Sequence, residues 1–180
     1  MSTNHIDWTV AWDVIDTPLG PLTLEASRRG LRAVHFPGRG PARAEERRDP
    51  ALLAGAAAQF EAYFDGQRRA FDLDLDLRCS VFDRVVWTAL LEIPYGGTVS
   101  YTELAQAVGR PDILRGVAAA VGRNPLAIVV PCHRVIGADG ALTGYRGGLQ
   151  RKQALLDLEG RVVAGLDPEP PWAFRQLTML

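Results

Sequence analysis

Pro131-Cys132-His133-Arg134 sets a thiol beside an imidazole and a guanidinium. A cysteine is a strong nucleophile only as thiolate, and a resting pKa of about 8.5 leaves little thiolate at neutral pH. A nearby histidine and arginine lower that pKa, and the imidazole can take up the proton. In an extended strand Cys132 and His133 would face opposite ways. The chain must therefore turn here, or the proton must travel through a water. The competing reading is an inert buried cysteine, the usual fate of this residue. Metal ligation does not fit, since Cys79 is the only other cysteine and His5 and His35 are remote.

These residues need elements to place them. Residues 9–36 read as an antiparallel meander, with turns at Asp16-Thr17-Pro18-Leu19-Gly20 and Arg29-Gly30. Residues 37–49 are polar and Pro/Gly-punctuated, so an exposed loop is expected. Asp49-Pro50 then opens a helix to about Phe64, with Asp as cap and Pro at the first helical position. FDLDLDL over residues 71–77 alternates strictly and predicts a strand. Ser80 and Asp83 resemble a capping box ahead of an apolar stripe at Val81, Val85, Leu90 and Leu91. Ser100 and Glu103 open a short helix over Tyr101 to Val108. Gly109-Arg110-Pro111 breaks the chain, and a third helix runs from about Asp112 to Gly122. That spacing suits a helix-turn-helix or a plain helical hairpin. LAIVVP reads as a buried strand leading into Cys132, and a final helix runs from Leu149 to Leu158, ending at Gly160.

Hydrophobic residues make up 47% and charged residues 23%, which describes an ordinary globular chain rather than a disordered one. No apolar run approaches the length of a membrane span, and the N-terminus lacks a secretory pattern. Two cysteines do not make a disulfide framework, so the reducing cytoplasm is the expected compartment. The net charge is −1. Between Gly96 and Gln153, however, seven basic residues face three acidic ones. Such a local excess fits phosphate binding or a merely solvated surface.

Four blocks carry a resemblance: VVWTALLEIPYGGTVSYTELA, GRP with LRGVAAAVGRNP, IVVPCHRVIGADGALTGYRGG and LQRKQALLDLEG. In this order and spacing, from about Ser80 through Gly160, the chain resembles the O6-alkylguanine-DNA alkyltransferases, also called methylated-DNA–protein-cysteine methyltransferases. TPLGPLTLEAS resembles them more loosely. The resemblance implies an α+β fold: a small N-terminal α/β unit over residues 1–78, with an antiparallel ribonuclease-H-like sheet, and a helical, winged-helix-like unit with a helix-turn-helix over 79–180. It implies stoichiometric, irreversible transfer of an alkyl group from O6-alkylguanine, and from O4-alkylthymine, to Cys132. No cofactor or metal is implied. The partner would be double-stranded DNA, bound through its minor groove by a monomer.

Roles follow by position. Cys132 would accept the alkyl group, His133 would act as base through a water, and Glu159 would orient His133. Glu159 at a helix C-terminus opposes the helix dipole, a mild misfit that favours a specific role. Tyr101 would push the target phosphate and donate its hydroxyl to the guanine. Arg115 would fill the space left by the everted base, its small neighbours letting the helix approach a narrow groove. Ser100, Gly116, Ala118, Ala119 and Arg123 would complete the DNA contacts. Pro131, Val135, Tyr145, Arg146 and Gly147 would shape the pocket, while Asn124 and Arg134 would be structural. Leu114 and Gly116 stand where the family favours alanine, and Ala118 where glycine is frequent. Cys79 is read as incidental. Three other classes compete: a lesion-recognition module lacking the nucleophile, a transcriptional regulator, and a cysteine hydrolase.

Overall fold

The computed structural model describes residues 10–37 and 47–166. The expected meander is present as β1 (Ala11–Ile15), β2 (Leu22–Ser27) and β3 (Gly30–His35). All three pair antiparallel, and β4 (Arg47–Arg48) adds to β1 in parallel, giving the order β3-β2-β1-β4. β4 lies in the stretch read as loop. Helix α1 (Pro50–Phe64) starts as expected, with the Asp49 carboxylate accepting from Leu52 N–H at 3.2 Å. The helix packs on β1 and β2, and its Leu53, Phe60 and Tyr63 are buried.

The 71–77 segment is not a strand, and the expected alternation holds only to Leu75: Asp76 is 6% exposed and accepts from the Ser27 hydroxyl. The segment meets β3 at one parallel bridge, Leu31 to Leu75. The two bonds of that bridge, Leu31 N–H to Asp74 O and Asp76 N–H to Leu31 O, require a close approach at Gly30. A Cβ at Gly30 would stand 2.1 Å from Asp74 O. Upstream, the Gln59 side chain takes both backbone groups of Asp72, the ones a ladder would need.

Helix α2 (Val81–Leu91) carries half of the expected capping box. Asp83 N–H donates to Ser80 Oγ at 3.0 Å, but the Asp83 carboxylate turns to Arg123 instead. Helix α3 (Tyr101–Ala107) has the complete box from Ser100 and Glu103. A 3₁₀ turn (Pro111–Ile113) follows, so α4 (Leu114–Gly122) begins two residues later than expected. Trp87 on α2 donates its indole N–H to Ala120 O at 2.9 Å, locking α2 onto α4. The last helix, α5 (Leu149–Val163), runs through Gly160 rather than stopping there. Short strands β5 (Val99–Ser100) and β6 (Val135–Ile136) pair in parallel below α3. One apolar core continues from Leu22 and Leu24 in the sheet to Val117, Leu126 and Leu155. No described helix is long and apolar enough to cross a membrane.

Candidate active site

LAIVVP is not the expected strand. Asn124, 4% exposed, accepts from Leu126 N–H at 3.0 Å and donates to Val130 O at 2.8 Å. Those two bonds fold the backbone back on itself. Ile128 pays for the turn with φ +74°, a conformation that costs a β-branched residue roughly 1–3 kcal/mol. Val34 N–H donates to Pro125 O at 2.8 Å, so the β3 edge grips the same turn.

Cys132–Arg134 then forms a 3₁₀ turn. Three residues per turn send successive side chains in three directions. This resolves the geometry left open by the sequence: Cys132 reaches a cavity, while His133 and Arg134 enter the interior. His133 Nε2 lies 3.0 Å from Glu159 Oε1, both residues being 0% exposed. Arg134 donates to both carboxylate oxygens at 2.8 and 2.9 Å and to Ile93 O at 2.6 Å. Tyr63 Oη and Gly96 N–H also donate to Glu159, at 2.7 and 2.9 Å. Burial alone would raise the Glu159 pKa, but the bonds from His133 and Arg134 override it and hold the carboxyl at about 2. Burial, outweighing Glu159, pushes the His133 pKa down, so the imidazole is neutral. Its Nε2–H then goes to the carboxylate, and Nδ1, buried and without a partner among the described residues, is left as acceptor.

The cavity has a volume of about 610 Å³. Cys132, 8% exposed, lies on its wall with Tyr101, Ala118, Asn124, Tyr145 and Arg146. Burial pushes the Cys132 thiol up, opposed by the Asn124 hydrogen bond and by the charges of Lys152 and Arg146. Lys152 is 0% exposed and donates to Val135 O and Thr143 O, pinning the glycine-rich loop to β6. Burial raises the Tyr101 and Tyr145 phenols, so both remain donors. Tyr145 Oη has no partner among the described residues. Phe36 packs edge-to-face on Tyr145 at 5.9 Å, and a Cβ at Gly147 would collide with both rings. His35, Phe36 and Pro37 bring the N-terminal sheet to the cavity wall.

Other expected site residues stand elsewhere. Pro131 and Val135 are buried behind the cavity and do not line it. Arg123 is bonded to Asp83 at 2.5 and 3.1 Å, tying α4 to α2, with about half of its side chain still exposed. Ser100 is engaged by Glu103, and Gly116 packs over Ile113. Arg115 is exposed and makes no ion pair with a described residue. Ala118 and Ala119 lie three and four positions on, on the same helix face, so Arg115 sits one turn from the cavity.

Tyr63, Gly96 and Lys152 were not readable as site residues. Tyr63 looks like a core aromatic on α1, and Lys152 like a surface cation. Gly96 had a visible mark, its place in the turn Pro94-Tyr95-Gly96-Gly97, but not its bond to Glu159. Its φ is +77°, and an added Cβ would stand 2.6 Å from Val163 Cγ2. Gly96→Ala is therefore expected to cost about 1–3 kcal/mol, read by urea denaturation.

Comparison with known proteins places the sequence and the fold. The family described as 6-O-methylguanine DNA methyltransferase, ribonuclease-like domain, matches residues 10–77, and its DNA binding domain matches residues 81–161. The methylated-DNA–protein-cysteine methyltransferase of Mycobacterium tuberculosis H37Rv is 49% identical over 152 residues, covering 83% of this chain and 92% of the relative. That of Methanosarcina barkeri is 45% identical over 152 residues, covering 82% and 96%. The crystal structure of M. tuberculosis OGT in complex with DNA superposes with a TM-score of 0.79 at 48% identity, covering 84% of this chain and 94% of that one. An archaeal O6-methylguanine-DNA methyltransferase from Pyrococcus kodakaraensis shares the fold at 21% identity and a TM-score of 0.61, covering 84% and 99%.

Proposed function

The chain belongs to the 6-O-methylguanine DNA methyltransferase family, and from that premise we propose that it repairs DNA by moving the alkyl group of an O6-alkylguanine onto its own Cys132. The observation that carries the reading is the placement of Cys132 on a cavity able to take a purine, backed by the buried His133–Glu159 pair.

The target carbon lies in the base stack, so the nucleotide must rotate out of a duplex to reach the sulfur. Arg115, on the exposed face of α4 above Ala118, takes the place of the everted base from the minor groove. His133 Nδ1 receives the thiol proton through a water, and Glu159 keeps Nε2 protonated. The thiolate then attacks the alkyl carbon, the carbon–oxygen bond breaks, and the guanine leaves as its N1/O6 anion. Tyr101 and Tyr145, held protonated at the cavity, are the donors available to that anion. Cys132 ends as a thioether. No described group offers chemistry to cleave it, so each molecule acts once. O4-alkylthymine would react by the same displacement. A thiol nucleophile suits a reducing compartment, and the reading needs only one copy of the chain.

Intact-mass measurement after incubation with a duplex carrying O6-methylguanine tests this reading. One methyl per protein is expected, mapping to Cys132, with no gain in Cys132→Ser. Binding without a mass change would mark a lesion-recognition module. Repeated turnover would mark a hydrolase.

A further inference from the structure

Glu159 is where residues distant in sequence converge. Its Oε1 atom takes three donors: His133 at 3.0 Å, Arg134 Nη2 at 2.8 Å and the Tyr63 hydroxyl at 2.7 Å. Tyr63 lies on α1, 96 residues earlier in sequence, and is 1% exposed. We propose that Tyr63 is a positioning residue for alkyl transfer: its hydroxyl, offered from the N-terminal unit to the oxygen that holds His133, sets how strongly Glu159 draws on the imidazole. The inference rests on reading His133 as the base.

Geometry leaves the hydroxyl little freedom. The Tyr63 ring is hemmed by Phe64 and Phe71, each 5.4 Å away between centroids, and by Tyr95 at 5.9 Å. Burial and the charge of Glu159 hold the phenol fully protonated, so Tyr63 donates and never competes as base. Three donors on one oxygen share its negative charge. Remove one, and the remaining charge pulls harder on the Nε2–H of His133. A stronger pull there makes Nδ1 a better proton acceptor.

The other groups facing this pair stay in place when Tyr63 changes. They are Arg134 and Cys132 on the same turn, Gly96 N–H from the α2–β5 connection, and Lys152 on α5. Tyr95, pushed up to about 12 chiefly by burial, completes the set, with Arg69 and Arg134 over its ring. Arg134 keeps both bonds to the carboxylate, so loss of the Tyr63 hydroxyl isolates one contribution on Oε1.

Two variants with opposite expected effects test the proposal. In Tyr63→Phe the His133 Nε2–H proton resonance should move downfield. The acid limb of single-turnover methyl transfer should move to higher pH by roughly half a unit to one unit, a three- to tenfold change in proton affinity. With 3-fluorotyrosine at position 63, a more acidic phenol and stronger donor, both readings should move the other way. A purely structural role predicts altered stability with neither reading displaced, and that result overturns the proposal. If Tyr63→Phe does not fold, the fluorinated protein, which keeps every contact, decides alone by the same criterion. A displaced resonance with an unmoved rate profile also overturns the proposal, and traces the failure to His133 not being the base. Absence of methyl transfer by the unaltered protein would instead refute the function.

Discussion

Glu159→Ala is expected to lose about 3–5 kcal/mol of stability, a large share of the roughly 5–15 kcal/mol that holds such a chain folded. The reason is what the carboxylate leaves behind. Arg134, 6% exposed, would remain as a buried cation without its counter-charge. The Tyr63 hydroxyl, the Gly96 amide and His133 would lose an acceptor in the same stroke. Glu159→Gln should cost less, since the amide oxygen still accepts, but should impair transfer because it no longer favours a proton on His133. Urea denaturation at neutral pH checks the ranking. The same carboxylate fixes an acid limit. Its folded pKa of about 2 lies below the ordinary 4.5, so its contribution is fully present above pH 4.5 and is lost as pH falls towards 2. That contribution is on the order of 3 kcal/mol. Denaturation midpoints should hold from neutrality to about pH 5 and then drop, and this acid step should be absent from Glu159→Gln.

Arg115→Ala should slow methyl transfer from a duplex by about 10- to 100-fold, because an everted base unstacks at a cost of a few kcal/mol that the arginine offsets. Transfer from a single-stranded oligonucleotide should be unchanged, since no stack has to be broken there. The protein itself should be as stable as before: Arg115 is exposed and makes no ion pair with a described residue. Single-turnover rates on the two DNA forms decide the matter. Equal slowing on both would show that Arg115 contributes only charge attraction to phosphate.

Much of this was legible in the sequence, and the rest was hidden for physical reasons. Local rules located the capping of α1 by Asp49, the α3 box of Ser100 and Glu103, and the meander, because caps and turns are settled by residues a few positions apart. The same rules misread LAIVVP, whose apolar composition suits a strand. There the Asn124 side chain supplies hydrogen bonds that fold the segment back, and it meets β3 at a single bridge, Val34 to Leu126, instead of a ladder. FDLDLDL showed its alternation as far as Leu75 but neither the burial of Asp76 nor its lack of a ladder, which depends on Gln59 and on the single close approach at Gly30. The chain end of α5 was misplaced at Gly160 because tertiary packing of Val162 outweighs the low helical propensity of glycine. Within the site, Cys132 and His133 stood out by type. Tyr63 and Lys152 did not, since their chemistry comes from partners far along the chain. The Arg123–Asp83 ion pair was hidden for the same reason, Asp83 lying 40 positions away.

A reagent that can be spent only once has to survive until it meets its target. Cys132 is 8% exposed and lies on the wall of a cavity it shares with Phe36, Tyr101 and Tyr145 rather than at the open surface. Peroxide and small electrophiles attack accessible thiolates, so this recess lengthens the useful life of the molecule before damage is found. The enclosure that makes the thiol slow to ionise therefore also works as its storage, and a planar base delivered from outside releases what has been kept.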